Sequence, residues 1–464
     1  MQPRLVVRSI VALAAAALHA CSQPQSAATE PRTPISSEVA LATFDETWTT
    51  VAVSDFDPSH GGVDWNEVRR EFRPKAEHAA SREDLRAVLQ EMLDRLKRSH
   101  YGVIAAESAA ALPEDAAPPT KSAPDHPRRA AEAEASFGLT LRWIEGQPVV
   151  TGVRADSPAQ RAGVKVGWVA CSIAGETVRP ADAKDAGSMK KYFHDLVLQS
   201  ADAGEDASEE TWDFREPSGA TAHVRMRRAP NQGISTKLGL LPPFQVHCDD
   251  RLLSPGELAA LGLPRNLRIA VIDFNVWMPA VAQRLDEAFQ RHLDADGVII
   301  DLRGNPGGAG GMVMGVAGHV MDEPVSLGTM RTRDSSLEFK VNPRRSTSDG
   351  RRVEPFAGPV AIVIDPLSAS TSEIFAGGLQ KLDRARVFGR TSAGAALPAQ
   401  MKSLPSGDAI LYAFASFTLP DGSAIEGVGV IPDEATGSRL ADWAAGRDAD
   451  IDAAARWISA EKQG

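Results

Sequence analysis

Cysteine is nearly missing from this chain, three residues in 464, and no CxxC or HExxH spacing occurs. Neither a zinc site nor a dithiol redox motif is therefore expected, and no cofactor or metal is called for. Positive charge is also scarce: 50 Lys and Arg stand against 61 Asp and Glu, a net charge of −11. With no basic footprint, nucleic acid is not an expected partner. Long apolar runs are missing too. Beyond residues 1–20 nothing reaches the roughly 20 apolar residues that a membrane-spanning helix needs. What remains is an ordinary soluble composition, 43% hydrophobic and 24% charged, at a length that suits about two or three domains.

The first residues differ from the rest. Arg4 and Arg8 precede the apolar run 10–18, which ends in Leu18-His19-Ala20-Cys21. A basic start, a short apolar stretch and a small residue before cysteine read as an export signal over 1–20. The placement of Cys21 resembles a bacterial lipobox, which implies lipid attachment there after cleavage; a plain cleavable signal is the alternative. Residues 21–37, rich in Ser, Pro, Ala and Thr, read as a flexible tether. Ser22 after the cysteine favours the outer membrane if lipoprotein sorting applies, so the expected location is the periplasm, with membrane contact only through lipidated Cys21. In that compartment Cys171 and Cys248 could pair or remain buried free thiols.

Along the chain the pattern changes several times. Residues 38–107 read as an N-terminal helical subdomain. Its best helix runs from Ser81 to Arg98, with Ser81-x-x-Asp84 as cap and Leu85, Val88, Leu89, Met92, Leu93 and Leu96 as one apolar stripe. Residues 108–134, punctuated by five prolines from Pro113 to Pro127, read as a linker. Residues 135–230 carry short strands at Phe137–Leu141 and Pro148–Val153, then Asp156-Ser-Pro-Ala159 and Ala162-Gly-Val-Lys-Val-Gly167. In these motifs the segment resembles a PDZ domain of the bacterial protease type. The resemblance makes Phe137, Gly138 and Leu139 a loop whose N–H groups hold a peptide C-terminus; a purely structural module is the alternative. Residues 236–440 alternate strands (267–274, 297–302, 359–364) with helices, an α/β pattern. An amphipathic helix within 441–464 closes the chain.

Two motifs carry chemistry. Pro359–Ile364 reads as a buried strand leading to Ser368-Ala-Ser-Thr-Ser-Glu-Ile-Phe-Ala-Gly-Gly378 and an amphipathic helix. A hydroxyl at such a turn lies beside unpaired helix N–H groups, where a nucleophile and its oxyanion can be held. Ser370-x-x-Glu373 is also a capping box, which needs no catalysis. The second motif, Val298-Ile-Ile-Asp-Leu-Arg-Gly-Asn-Pro-Gly-Gly308, runs a strand into a glycine turn that can present N–H groups to an anion. It lacks the Lys-Ser/Thr of a phosphate-binding P-loop.

These two motifs, followed by Glu426-Gly-Val-Gly-Val-Ile-Pro-Asp433 and preceded by the PDZ-like segment, resemble the serine peptidases of family S41, the C-terminal processing and tricorn-type proteases. The resemblance spans roughly residues 40–440. It implies an α/β core of the ClpP/crotonase-like kind, Ser370 as nucleophile, and Thr371 with Gly307 as oxyanion donors, Gly308 being the near alternative. The processing proteases take their base from a lysine after the nucleophile helix, a position occupied here by Ala395; Lys402 lies seven residues on. The tricorn-type branch uses a Ser-His pair and a Glu, which implies Ser99, His100 and Glu426. Taken singly, His100 could cap helix carbonyls, Ser99 could be a polar helix end, and Glu426 a surface acid. The expected function is an exported serine endopeptidase acting on protein or peptide substrates. A non-catalytic protein of the same fold, binding peptide C-termini or a hydrophobic ligand, and a hydrolase of small esters or amides are the rival readings.

Overall fold

The computed structural model describes residues 32–106, 135–181, 189–204, 209–231, 233–241, 243–347 and 349–462. The expected signal peptide, Cys21, most of the tether and the 108–134 linker lie outside them.

Three helices open the described chain: α1 (Ser37–Ser54), α2 (Trp65–Glu77) and α3 (Arg82–Leu93). Each starts where a short polar side chain, Ser36, Asp64 or Ser81, accepts an otherwise orphaned N–H. α3 buries the expected stripe of Leu85, Leu89, Met92 and Leu93, but it stops well short of Arg98. A 3₁₀ turn over Asp94–Leu96 leads to Lys97 in the left-handed region (φ 51°), which breaks the helical ladder. The short strand β1 (Gly102–Ile104) follows.

The next region is antiparallel. It contains β2 (Ala135–Ser136), β3 (Leu139–Ile144), β4 (Gln147–Val153), β5 (Val169–Ile173), helix α4 (Met189–Ser200), β6 (Ala203–Gly204), β7 (Glu209–Arg215), β8 (Thr221–Arg227) and β9 (Ala229–Pro230). The main sheet runs β3-β4-β5-β7-β8, with β3 at one end, and α4 packs against β3. Phe137, Leu141, Val150, Trp212 and Phe214 fill its core, as alternating strand residues should when one face is covered.

The α/β core is built on a sheet of β10 (Cys248–Leu252), β11 (Ile269–Phe274), β12 (Gly297–Asp301), β13 (Val360–Ile364), β14 (Ala385–Gly389) and, at the far edge, Glu434–Ala435. All neighbours are parallel except β10 with β11. Both faces are covered at the centre of the sheet, which is why β11, β12 and β13 are almost continuously apolar. Helices α5 (Ala282–Arg291) and α6 (Thr371–Lys381) lie on one face, packing Leu285, Phe289, Phe375 and Leu379 toward Ile272, Ile300 and Ile362. The last helix, α7 (Ala449–Glu461), covers the other with Ile451, Ala454, Ala455 and Ile458, the stripe its sequence spacing indicates. Cys171 and Cys248 are both free thiols.

A hairpin of β15 (Ala399–Ser403) and β16 (Ala409–Ala413) leaves the core and pairs with β1 in the order β1-β16-β15. Leu397, Leu404, Ile410 and Ala413 share one apolar cluster with the three N-terminal helices. Arg86 Nε and Nη2 both donate to Oδ1 of the fully buried Asp408 (3.1 and 2.7 Å). The turn after α3 is thereby carried to the chain that follows α6.

Candidate active site

Ser370 sits between β13 and α6 with φ 54° and ψ −117°, a strained conformation for a residue with a side chain. The neighbourhood over-determines it. Its N–H lies 2.9 Å from the Ala395 carbonyl and 3.0 Å from Glu373 Oε2. Glu373, fully buried, also accepts from Ser392 Oγ (2.5 Å), Gly394 N–H (2.7 Å) and Ala395 N–H (3.0 Å). Burial pushes its carboxyl up to about 7, against the pull of those four donors. The capping-box glutamate is thus the hub that ties the serine turn to residues 392–395, a role its spacing did not reveal.

The glycine turn is stitched to the same place. Ala369 N–H and Ser372 Oγ both donate to the Asn305 carbonyl (3.1 and 3.0 Å), and Thr371 Oγ1 donates to the Gly308 carbonyl (3.2 Å). Asn305 Nδ2 reaches back to the Phe274 carbonyl at 2.8 Å. Gly307, at φ 98°, lies so close that an added Cβ would stand 2.7 Å from Ser370 Cβ and 3.0 Å from the Thr371 nitrogen. Its own N–H is already committed to Asn305 Oδ1 at 3.0 Å. Of the two glycines it is Gly308 whose N–H has no hydrogen-bond partner among the described residues, and the same holds for Thr371 N–H. Two unpaired donors on adjoining turns, one at a helix start, form an anion cradle. Of the expected pair, Thr371 N–H is open, whereas Gly307 N–H is spent on Asn305, which leaves Gly308, the near alternative, as the glycine with an open donor.

Ser99, His100 and Glu426 come together across 327 residues of chain. Glu426 Oε1 accepts the Ser99 N–H at 2.8 Å, Oε2 accepts Ser99 Oγ–H at 2.8 Å, and Ser99 Oγ lies 2.7 Å from His100 Nδ1. A carboxylate only accepts, so the single hydroxyl proton of Ser99 is turned to Glu426. The proton on the second contact must then come from His100 Nδ1, which leaves Nε2 with its lone pair. Burial lowers the His100 pKa to about 4, keeping the ring neutral near pH 7. The turn is built for this: Lys97 and His100 both have positive φ, 51° and 61°. Arg98 between them grips both oxygens of buried Asp55 (2.9 and 3.1 Å) and Asp57 Oδ2 (2.5 Å).

One peptide links the two halves. Ala395 C=O takes the Ser370 N–H, while the next N–H, that of Ala396, donates to Glu426 Oε2 at 3.0 Å. Serine turn and histidine turn therefore flank residues 395–396. Among the described residues no hydrogen bond joins the Ser370 hydroxyl to the His100 ring. Lys402 is elsewhere, 3.3 Å from Thr50 Oγ1 and ion-paired with Glu46 at 2.5 Å, both on α1.

The antiparallel region touches this site from behind the glycine turn: Gln199 Nε2 of α4 donates to the Gly304 carbonyl (2.7 Å) and Arg142 of β3 to the Arg303 carbonyl (3.3 Å). The loop Phe137-Gly138-Leu139 is not near the serine in these contacts; its N–H groups meet Ser136 and Asp202.

Residues 268–436, which hold β11 to β14 together with the glycine turn and the Ser370 turn, match peptidase family S41, and residues 41–94 match the tricorn protease C1 domain. Over residues 268–436 the chain is similar to the S41 peptidases. A probable CtpA-like serine protease of Staphylococcus haemolyticus (strain JCSC1435) is 23% identical over 300 residues, 64% of this chain and 51% of that protein. A carboxyl-terminal-processing protease of Synechocystis (strain ATCC 27184) is 26% identical over 211 residues, covering 46% of this chain and 45% of its own. The chain spans about half the length of the curated relatives it matches. In fold it is similar to a solved photosystem II D1 C-terminal processing protease, at TM-score 0.54 and 18% identity over 90% of this chain and 97% of that one.

Proposed function

We propose that this chain is an exported serine endopeptidase of the S41 type acting on protein or peptide substrates, lipid-anchored through Cys21 on the periplasmic side of the bacterial outer membrane. The observation that carries the catalytic reading is the hydrogen-bonded run Glu426–Ser99–His100, tied through the 395–396 peptide to the strained Ser370 turn.

In this reading Ser370 Oγ attacks the scissile carbonyl carbon and its proton passes to His100 Nε2. The Ser99 hydroxyl and Glu426 carboxylate hold the ring's other nitrogen and balance the imidazolium charge. The carbonyl oxygen becomes an oxyanion between the N–H groups of Thr371 and Gly308. Collapse breaks the C–N bond, the amine leaving with the proton from His100. A water then adds by the same route in reverse, releasing the acid and restoring Ser370. The hydroxyl–imidazole contact closes when substrate seats, as catalytic hydrogen bonds in empty sites often do.

A serine-directed fluorophosphonate and an unfolded protein substrate test this together. Wild type and Lys402→Ala are expected to label and cleave alike, while Ser370→Ala and His100→Ala each lose about 10⁴-fold or more of the cleavage rate. Undiminished turnover by folded His100→Ala would remove the base assignment. Absence of both labelling and cleavage in the wild-type chain would leave the non-catalytic reading standing.

A further inference from the structure

Phe137 N–H and Leu139 N–H converge on a single oxygen, Asp202 Oδ1, at 3.0 and 2.9 Å. The loop that presents them is stiff. Gly138 N–H is held by Ser136 Oγ (2.9 Å) and its carbonyl by Arg154 N–H (2.8 Å). Its φ of 81° and the 2.3 Å that would separate an added Cβ from Ser157 Cβ admit only glycine there. Directly after the loop the chain becomes β3, the end strand of its sheet, with α4 alongside and His194 of α4 stacked on Trp143 of β3 at 5.5 Å. Paired N–H groups at the head of an end strand, beside a helix, are the arrangement in which an extended peptide adds to the sheet and leaves its terminal carboxylate on the loop. Here a side-chain carboxylate of the same chain stands on those donors.

Asp202 is not there by chance of a mobile side chain. It follows α4 by two residues and precedes β6, which pairs with β2 in the register Ala203 to Ser136 and Gly204 to Ala135. Buried Arg228 donates to the Asp202 and Ala201 carbonyls (3.3 and 3.4 Å), pairs with Glu210, and lies 4.4 Å over the Phe137 ring. Gly204 is packed so tightly on it that a Cβ would fall 2.7 Å from Arg228 Cζ. Strand pairing and guanidinium together fix the backbone on either side of the carboxylate. The group is kept there although burial raises its pKa above the usual carboxylate range.

We infer that Asp202 is a built-in occupant of a C-terminal-carboxylate site: it fills the Phe137–Leu139 cradle in the resting chain, and peptides with a free C-terminal carboxylate bind only when it is withdrawn. The inference concerns binding and does not need the peptidase reading, so the two fail separately.

The test uses the full chain with Ser370→Ala, so that nothing is cleaved, and a pool of labelled peptides with randomised C-terminal residues, made both as free acids and as amides. With Asp202 present, acids and amides are expected to be retained alike. Asp202→Ala should retain acids over amides by about tenfold or more, the worth of a charge-assisted pair of hydrogen bonds. Asp202→Asn, whose amide oxygen can still accept both N–H groups, should stay closed; Asp202→Ser, too short to reach, should open the cradle if the alanine variant does not fold. A free-acid preference of the same size with Asp202 intact would overturn the inference. So would folded alanine and serine variants that show none.

Discussion

The molecule holds two cradles of backbone N–H groups, and they differ in what fills them. At Thr371 and Gly308 the donors have no partner among the described residues, although hydroxyls, carbonyls and carboxylates lie all around. At Phe137 and Leu139 the donors are satisfied by Asp202. An unpaired N–H in a partly buried place costs free energy, so the fold must support the first cradle from outside. Asn305, Glu373 and Trp277 supply that support: Trp277 N–H donates to the Gly307 carbonyl at 2.9 Å and its indole N–H donates to Ser372 Oγ at 2.8 Å. The second cradle is braced too, by Ser136 and Arg154 on the Gly138 residue, but there the occupant already satisfies the donors. An open cradle is suited to a charge that exists only during reaction; a filled one is suited to a ligand that must compete to enter.

On the proposed peptidase reading, the largest expected effect belongs to the hydrogen-bonded run Glu426–Ser99–His100. Glu426→Gln replaces a group that accepts three hydrogen bonds, from Ser99 N–H, Ser99 Oγ–H and Ala396 N–H, with one that must also donate. An amide NH₂ facing Ser99 Oγ turns the hydroxyl proton toward His100 Nδ1 and puts the ring proton on Nε2, where it cannot act as base. The expected loss is about 10³–10⁴-fold in kcat with KM little changed. Peptide retention at the Asp202 cradle should not move. Steady-state kinetics on the variant would break the comparison if kcat held.

Gly307→Ala should cost less but strike the open cradle itself. The new Cβ would meet Ser370 Cβ at 2.7 Å and the Ala369 carbonyl at 2.9 Å, at a φ that alanine rarely adopts. Nucleophile and donor turns must move apart by a few tenths of an ångström. Misplacing one oxyanion donor removes about 3–4 kcal/mol of transition-state stabilisation, about 10²–10³-fold in kcat. Fluorophosphonate labelling should slow in step, while the far-UV spectrum is kept.

A packing change should reach the site through stability alone. Leu89 is fully buried between the helices and the β15–β16 hairpin, the surface that carries His100 to Glu426. Leu89→Ala is expected to lose about 2–5 kcal/mol of unfolding free energy. At temperatures where the variant remains folded, kcat should stay within about threefold of wild type, because the atoms that react are untouched. Denaturant melts with parallel kinetics check both halves.

Much of this architecture can be read in advance, and what cannot is instructive. Apolar runs at 269–274, 297–301 and 360–364 announce buried parallel strands because they are short, rich in Val and Ile, and set between polar or turn-forming residues. The end of α3 is misjudged because the apolar stripe continues to Leu96, while a single left-handed residue, Lys97, stops the ladder. Asn305-Pro306-Gly307 carries an Asx-turn signature, which could have indicated that the Gly307 N–H would be spent internally. Glu373 is legible as a cap, but its other acceptor contacts come from residues 392–395, and no local pattern announces them. Asp202 is the least legible of all. It stands before a two-residue strand in a polar stretch, and only the folded register brings it to Phe137.

The smallest effect is a displaced acid limb, and it sharpens the account of the open cradle. An unshifted histidine base would titrate near 6.5. Burial holds His100 at about 4, so the unprotonated ring persists as pH falls from 7 through 6 and is lost only as pH passes through about 4. The acid limb of kcat/KM should therefore sit well below 6. The same shift has a stability signature of fixed sign. Between about 4 and 6.5 the unfolded chain binds a proton at this residue that the native chain does not, so the native state loses stability as pH falls through that window. Glu373, whose raised pKa gives an opposing slope above the ordinary carboxylate range, is common to wild type and His100→Ala and cancels in their difference. Wild type should thus lose stability relative to His100→Ala on going from pH 7 to pH 5. An acid limb at 6.5 with no such differential would mean that water reaches the ring, and the relay would then need a solvated histidine in place of a desolvated one.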